Sequence, residues 1–435
     1  MVTVHTMTVL VGVGLVATGL VPVGSAATAE PGSQVAAAPK TCEAWNQTTG
    51  GAVMADLQAV IDAAAPGDEV WVAGRCVGGF SVTKDLVIRS GPADSRAFPR
   101  PRATLTGEHA TRVLAVRGAK DGLITVTLRG LRLTAGLADI KAGKGDQGGA
   151  VLSTRANLRL VDCAVTDSKA VKFSGSLSAG GGIFEGGGRM SWLTLVDTVV
   201  RGNWAWLGGG VSASHVRLTG TSRVTGNVAG AVGGGLQARR VVMAGEAEVD
   251  HNAAGSGGGV AASSRPFKVA VRMVDSAAVH HNVARTQDGG GISSERGGVV
   301  LADRARVTRN AAMGRQGDGG GIRSSGRSQL VQLKGDSSVR NNIARSGGGI
   351  YQYAGTFQMT DRASVSGNVA QRRGGGIFIA KGEVLVRGRA TVTSNLAKRT
   401  GGGVYAESGR IRPADVRVRE DAHVYRNIPN DIVIR

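Results

Sequence analysis

The strongest constraint in this sequence is a glycine triplet followed by Ile, Val or Leu. Its last glycine falls at Gly182, Gly210, Gly235, Gly259, Gly291, Gly321, Gly349, Gly376 and Gly403. The steps average about 28 residues, a length suited to one turn of a stacked solenoid. Between the triplets lies a second signature, Val-x-x-Asn, which ends at Asn203, Asn227, Asn252, Asn282, Asn310, Asn342, Asn368, Asn395 and Asn427. Six residues before its Val stand Leu218, Met243, Met273, Leu301, Leu333, Met359, Val386 and Val418, each preceded two places earlier by Val or Phe. A period of two marks a strand with one buried face. Each unit therefore reads as three short strands separated by three turns. A unit this small cannot bury its own apolar face and must stack on its neighbours, so the chain is expected to be an all-β parallel β-helix. Composition agrees: 69 glycines and only 4% aromatic residues leave a thin core of small and β-branched side chains.

The recurring Asn is expected to tolerate left-handed backbone and to hydrogen-bond to its counterpart one coil away. The glycines are expected to supply positive φ and room where a Cβ would not fit. The turn before the third strand alternates Asp275, Asp303, Asp336 and Asp361 with Gly220, Gly245 and Gly388, an exchange that indicates turn geometry and not a stacked Ca²⁺ site.

Outside the repeats, an apolar run from Thr8 to Val23 and the small residues Ala27-Thr28-Ala29 suggest a secretory leader over 1–29, although no Lys or Arg precedes the run. Residues 30–53 read as a linker, and 54–435 as the β-helix domain. Within it, irregular coils run to about 147 and regular repeats span 148–427. Residues 54–65 place Leu57, Val60, Ile61 and Ala64 on one helical face, as expected of a helix that caps the first coil. Cys42 and Cys76 could close a bridge in an exported protein, leaving Cys163 unpaired. No later segment could span a bilayer.

The helix followed by PGDEVWVAGRCVGGFSV resembles the opening of secreted right-handed β-helix proteins of the pectin-lyase-like fold. The tandem units, with Gly148-Gly149-Ala150-Val151, resemble the GGA[ILV] and FxxN repeats of polymorphic membrane proteins, with Val for Phe. The resemblance implies a right-handed helix with three strands per coil, and a secreted or cell-surface location. The surface-adhesin role of polymorphic membrane proteins depends on a C-terminal barrel. No barrel or sorting motif is legible in this sequence.

Enzymes on this scaffold need carboxylates holding Ca²⁺ beside a basic residue, or paired Asp residues for acid and base. The hydrolase signatures Asn-Thr-Asp, Asp-Asp, His-Gly and Arg-Ile-Lys are absent as a set, and no G-x-S-x-G or G-x-x-x-x-G-K-[ST] occurs. His251 and His281 each precede the repeat Asn and would stack about 5 Å apart. An excess of 52 Lys and Arg over 32 Asp and Glu gives a net charge of +20, which favours polyanionic partners.

Basic residues gather in the loops between Asn-x-Ala and the glycines, at Arg285, Arg315, Arg345, Arg372, Arg373, Lys398 and Arg399, whereas the first three such loops have none. The outward position after each triplet brings Tyr351, Phe378 and Tyr405 into consecutive coils. Rings beside cations would suit an acidic polysaccharide or an anionic cell-surface polymer. A self-stacked aromatic ladder is the alternative for the same rings. The sequence thus leads to a non-catalytic, surface-acting or polysaccharide-binding protein with no cofactor. The alternative is a lyase or hydrolase of polyuronate, and Ca²⁺ enters only for the lyase. Export and scattered Arg fit nucleic acid poorly.

Overall fold

The computed structural model of the chain describes residues 41–91, 103–120, 122–138, 147–171, 177–186, 191–263, 268–326, 329–407, 416–418 and 423–434, so the expected leader lies outside the described residues. The strands form three sheets of 25, 13 and 8 members. Nearly every pair is parallel, and the chain is a parallel β-solenoid.

Register follows the repeat. The Val of Val-x-x-Asn stacks on itself through the 13-stranded sheet, as in Val339, Val365 and Val392. The apolar pairs stack likewise, Val331 on Phe357 on Val384 and Leu333 on Met359 on Val386. All of these side chains are buried in one continuous core. Parallel stacking at the strand spacing of about 4.8 Å lets each coil shield the apolar face of the next.

From Val260 to Ala397 each coil has four strands, one more than expected. In one coil these are Ile350–Gln352 and Gly355–Met359 of the largest sheet, Ser364–Ser366 of the second, and Val369–Ala370 of the third. The fourth is only two residues long, too short to display a period. Its inward residue is alanine, and Ala284, Ala312 and Ala344 form a small cluster of their own. The residue before each alanine lies against the middle glycine of a triplet. A Cβ on Gly375 would come within 2.6 Å of the Leu396 carbonyl, so only a bare backbone fits there.

The Asn column is a closed hydrogen-bond ladder. Asn368 Nδ2 donates to Asn395 Oδ1 at 2.9 Å and to the Val339 carbonyl at 3.0 Å, while its backbone N–H donates to the same Asn395 oxygen at 3.0 Å. The pattern runs from Asn203 to Asn427, where Asp431 Oδ1 takes the place of the next amide. The expected left-handed backbone lies one residue earlier than the Asn, at His251, His281, Arg309, Asn341 and Ser394 among others. Asn therefore recurs for its amide, which satisfies buried donors and acceptors in a low-dielectric interior.

In the turn before the second sheet, Gly335 and not Asp336 takes the left-handed position. Its N–H donates to Asp361 Oδ2 at 2.8 Å, and Asp275 N–H to Asp303 Oδ2 at 3.1 Å. These carboxylates accept backbone amides from the adjoining coil. Asp336 instead pairs with Arg362 at 2.6 Å.

At the N-terminal side, the helix spans Leu57–Ala63, shorter than expected because Asp56 caps it by accepting from the Gln58 and Ala59 N–H groups. Leu57, Val60 and Ile61 join the main core. The region expected as a linker includes strand Glu43–Asn46, which pairs antiparallel with Glu69–Ala73. A Cys42–Cys76 disulfide ties this strand to the first coil. Cys163 is buried and directs its thiol at the Leu128 and Val161 carbonyls. Among the described residues no helix is long and apolar enough to cross a membrane.

Candidate functional site

The basic loops of the C-terminal coils stack in register. Arg345 donates its N–H to Gly317, Arg372 to Arg345, and Arg399 to Arg372, at 2.8, 2.8 and 3.0 Å between nitrogen and carbonyl oxygen. Three cationic side chains therefore leave the scaffold from consecutive rungs. Arg372, Lys398 and Arg399 are exposed and Arg345 is half-buried. Their proximity is felt electrostatically: Arg345, then slight desolvation, Arg399 and Arg373 depress the Arg372 guanidinium below its ordinary value, against the pull of Asp318. A stack of like charges raises its own energy and is relieved by an anion.

Arg373 behaves differently from Arg372. Its guanidinium lies 5.2 Å from the centre of the Tyr405 ring and 3.4 Å from Glu407. Arg285 and Arg315, in earlier coils, are exposed.

The three aromatic rings do stand in consecutive coils, but as a self-stacked ladder. Tyr351 and Phe378 are 4.9 Å apart and 9° from parallel, and Phe378 and Tyr405 are 5.2 Å apart at 22°. Phe378 and Tyr405 are only 5% and 3% exposed, so the expectation of open rings for sugar stacking does not hold for them. Each ring covers the next, which stabilises the coils and leaves Tyr351 as the half-buried member.

Four charged residues that the sequence reading did not place in the site complete it. Asp288 and Asp318 each open the residue run into a glycine triplet, one coil apart, and Asp318 N–H donates to Asp288 Oδ1 at 2.9 Å. Arg323, in the outward column beside Tyr351, meets Asp288 Oδ2 at 2.7 Å. Burial and the neighbouring Asp288 charge push the Asp318 carboxyl up to about 6, against the pull of Arg345, Ser346 and Arg323. Burial, then the charge of Asp318, raises the Tyr351 phenol to about 12. Glu407, paired with Arg373, is the fourth residue. The repeated Asp-Gly-Gly-Gly was the available signal for the two acids.

His251 and His281 stack at 5.0 Å and 6° from parallel, and His280 meets His281 edge-on with their Nδ1 atoms 2.9 Å apart. Buried Asp250 accepts from Arg223 and His251. Burial alone would raise its carboxyl, but hydrogen bonds from Arg223, His251 and Thr225 hold it at about 2. Burial and the adjoining His280, His251 and Arg309 lower His281. Among the described residues no group of three or more His, Cys, Asp or Glu could hold a metal ion.

A buried polar group also lies earlier in the chain. Ser191 Oγ donates to Glu185 at 2.5 Å, and His215 Nδ1 is 3.0 Å from the Ser191 carbonyl. All three residues are buried, and the imidazole meets the backbone carbonyl of Ser191. Trp204 and Trp206 are half-buried, and a Cβ on Gly230 would clash with the Trp206 ring, which makes Trp206 a packing residue of the adjoining coil.

Compared with protein-family models, with curated proteins and with solved structures, the chain finds no match.

Proposed function

We propose that this chain is a secreted or cell-surface β-solenoid that binds an acidic polysaccharide or similar anionic polymer without altering it. The observation that carries this reading is the Arg345–Arg372–Arg399 column, three cations at the repeat of a rigid scaffold. A polyuronate carries one carboxylate per sugar along an extended chain. Such a ligand relieves the repulsion that depresses Arg372 and contacts several rungs at once, so weak contacts add. Lys398 extends the cationic surface, while Arg373 is held between Tyr405 and Glu407 and contributes mainly to packing. The likeness to pectin-lyase-like and polymorphic-membrane-protein repeats, which rests on sequence pattern, agrees with export and surface display.

Titration with polygalacturonate and with a neutral glucan tests this reading. Binding to the acidic polymer should weaken at least about tenfold in Arg372→Gln/Arg399→Gln and fall with salt, with no neutral-glucan binding. Equal affinity of the double variant and the parent would overturn it.

Asp288 and Asp318 favour a second reading, a polyuronate hydrolase. Asp288, paired with Arg323, beside an Asp318 that keeps its proton to about pH 6 gives the two neighbouring acids that acid and base catalysis needs. Release of reducing or unsaturated ends, measured with and without Ca²⁺, separates the two readings. Turnover lost in Asp318→Asn would support the enzyme, and turnover lost on chelation would point to a lyase.

A further inference from the structure

We propose that the outer face of the third sheet, over the C-terminal coils, docks onto an anionic lipid bilayer. The residue directly after each ladder Asn points outward from this sheet. Parallel pairing places Val283, Ala311, Ile343, Val369 and Leu396 in one column, and Ile428 bridges to Leu396. Trp204, Val228 and Ala253 continue the same column in the earlier coils. Every member is apolar, although an outward position on a solvated sheet has no need to be. Ile343, Leu396 and Ile428 are 46%, 39% and 63% exposed, the signature of an interaction surface.

What lies beside the row selects the partner. On one border stand Arg345, Arg372, Lys398 and Arg399, and on the other exposed Arg309 and Arg426. A second copy of this chain fits poorly, because the Arg column would meet its own image on a molecule of net charge +20. A polysaccharide accounts for the cations but not for the aliphatic row, since sugars stack on aromatic faces and this row has none from Val283 to Ile428. An anionic bilayer meets both demands: headgroup phosphates face the guanidinium and ammonium groups, and the aliphatic side chains enter the acyl boundary. Sheet geometry helps, because side chains spaced by the coil repeat of about 4.8 Å lie on a common front and can enter together.

This inference goes beyond the polysaccharide reading and uses Ile343 and Leu396, which that reading does not. Co-sedimentation of the whole chain is measured with vesicles of mixed phosphatidylglycerol and phosphatidylcholine, and with vesicles of phosphatidylcholine alone. The parent should bind the anionic vesicles and not the neutral ones. Ile343→Thr/Leu396→Thr, which places β-branched residues suited to a strand at both positions, should bind them at least about tenfold more weakly and retain polygalacturonate binding. Leu396→Trp keeps the row apolar, and its added indole should shift to shorter emission wavelength on mixing with anionic vesicles. The proposal is overturned by Thr-variant binding equal to the parent, by an unshifted indole, or by parent self-association that the Thr variant abolishes.

Discussion

The coils around Asn227 and those around Asn368 share a frame and differ in what they display. In both, the amide ladder repeats at 3.0 Å or just under, the first glycine of the triplet is left-handed, and Val fills the inner column. Outside the frame they diverge. The earlier coils present Ser212, hydrogen-bonded to Gln237 at 2.6 Å, and uncharged loops, whereas the later ones present stacked rings and a column of Arg. A solenoid permits this because each outward side chain answers only to its neighbours one coil away. The frame is constrained by every coil, and the decoration by almost none.

If that division is right, damage to the frame should cost the same in both regions. Asn342→Ala removes the acceptor of two Asn310 donors and the donor to the Val307 carbonyl. It should destabilise by about 3 kcal/mol, and Asn227→Ala by a similar amount, in chemical denaturation. A large inequality would break the comparison. Gly376→Ala should cost about 2 kcal/mol, because its Cβ would sit 2.7 Å from the Gly403 carbonyl oxygen, and Gly235→Ala should match it in the earlier region.

Changes to the decoration should be smaller and local to the later coils. The folded state holds the Asp318 proton up to about pH 6, whereas the unfolded carboxyl releases it near 3.8. Its stabilising contribution is therefore complete below about pH 4 and lost as pH rises through 6. Asp318→Asn should stabilise at pH 7 by on the order of 1 kcal/mol once solvent screening is allowed for, and by almost nothing at pH 4. His281 runs the other way. Its folded affinity for a proton is depressed, so the unfolded state binds more protons just below pH 6.5 and stability falls as pH drops. His281→Asn should flatten that slope in thermal melts. The smallest effect is expected of Arg372→Gln, a slight rise in melting midpoint at low salt that vanishes at high salt as the like charges are screened.

Much of the fold was legible from residues that recur. Leu333, Met359 and Val386 announced a buried column because their spacing repeats, and a parallel stack turns equal spacing into equal depth. The site was legible only in part. Arg345, Arg372 and Arg399 stood out by composition, but Arg373, adjacent in sequence to Arg372, turns instead to Tyr405 and Glu407. Phe378 looked outward and is outward, yet it is buried by the rings above and below. Asp288 and Asp318 hid in the turn residues that precede a glycine triplet.

The sequence by itself determined the period, the inner columns and the place of each Asn, since these follow from which residues can share a buried face or a closed hydrogen-bond ladder. Tertiary structure alone decided the fourth two-residue strand, the left-handed residue before each Asn, and which outward side chains are open or covered. Those depend on how far each side chain reaches across to the next coil, a distance in space that no spacing along the chain encodes.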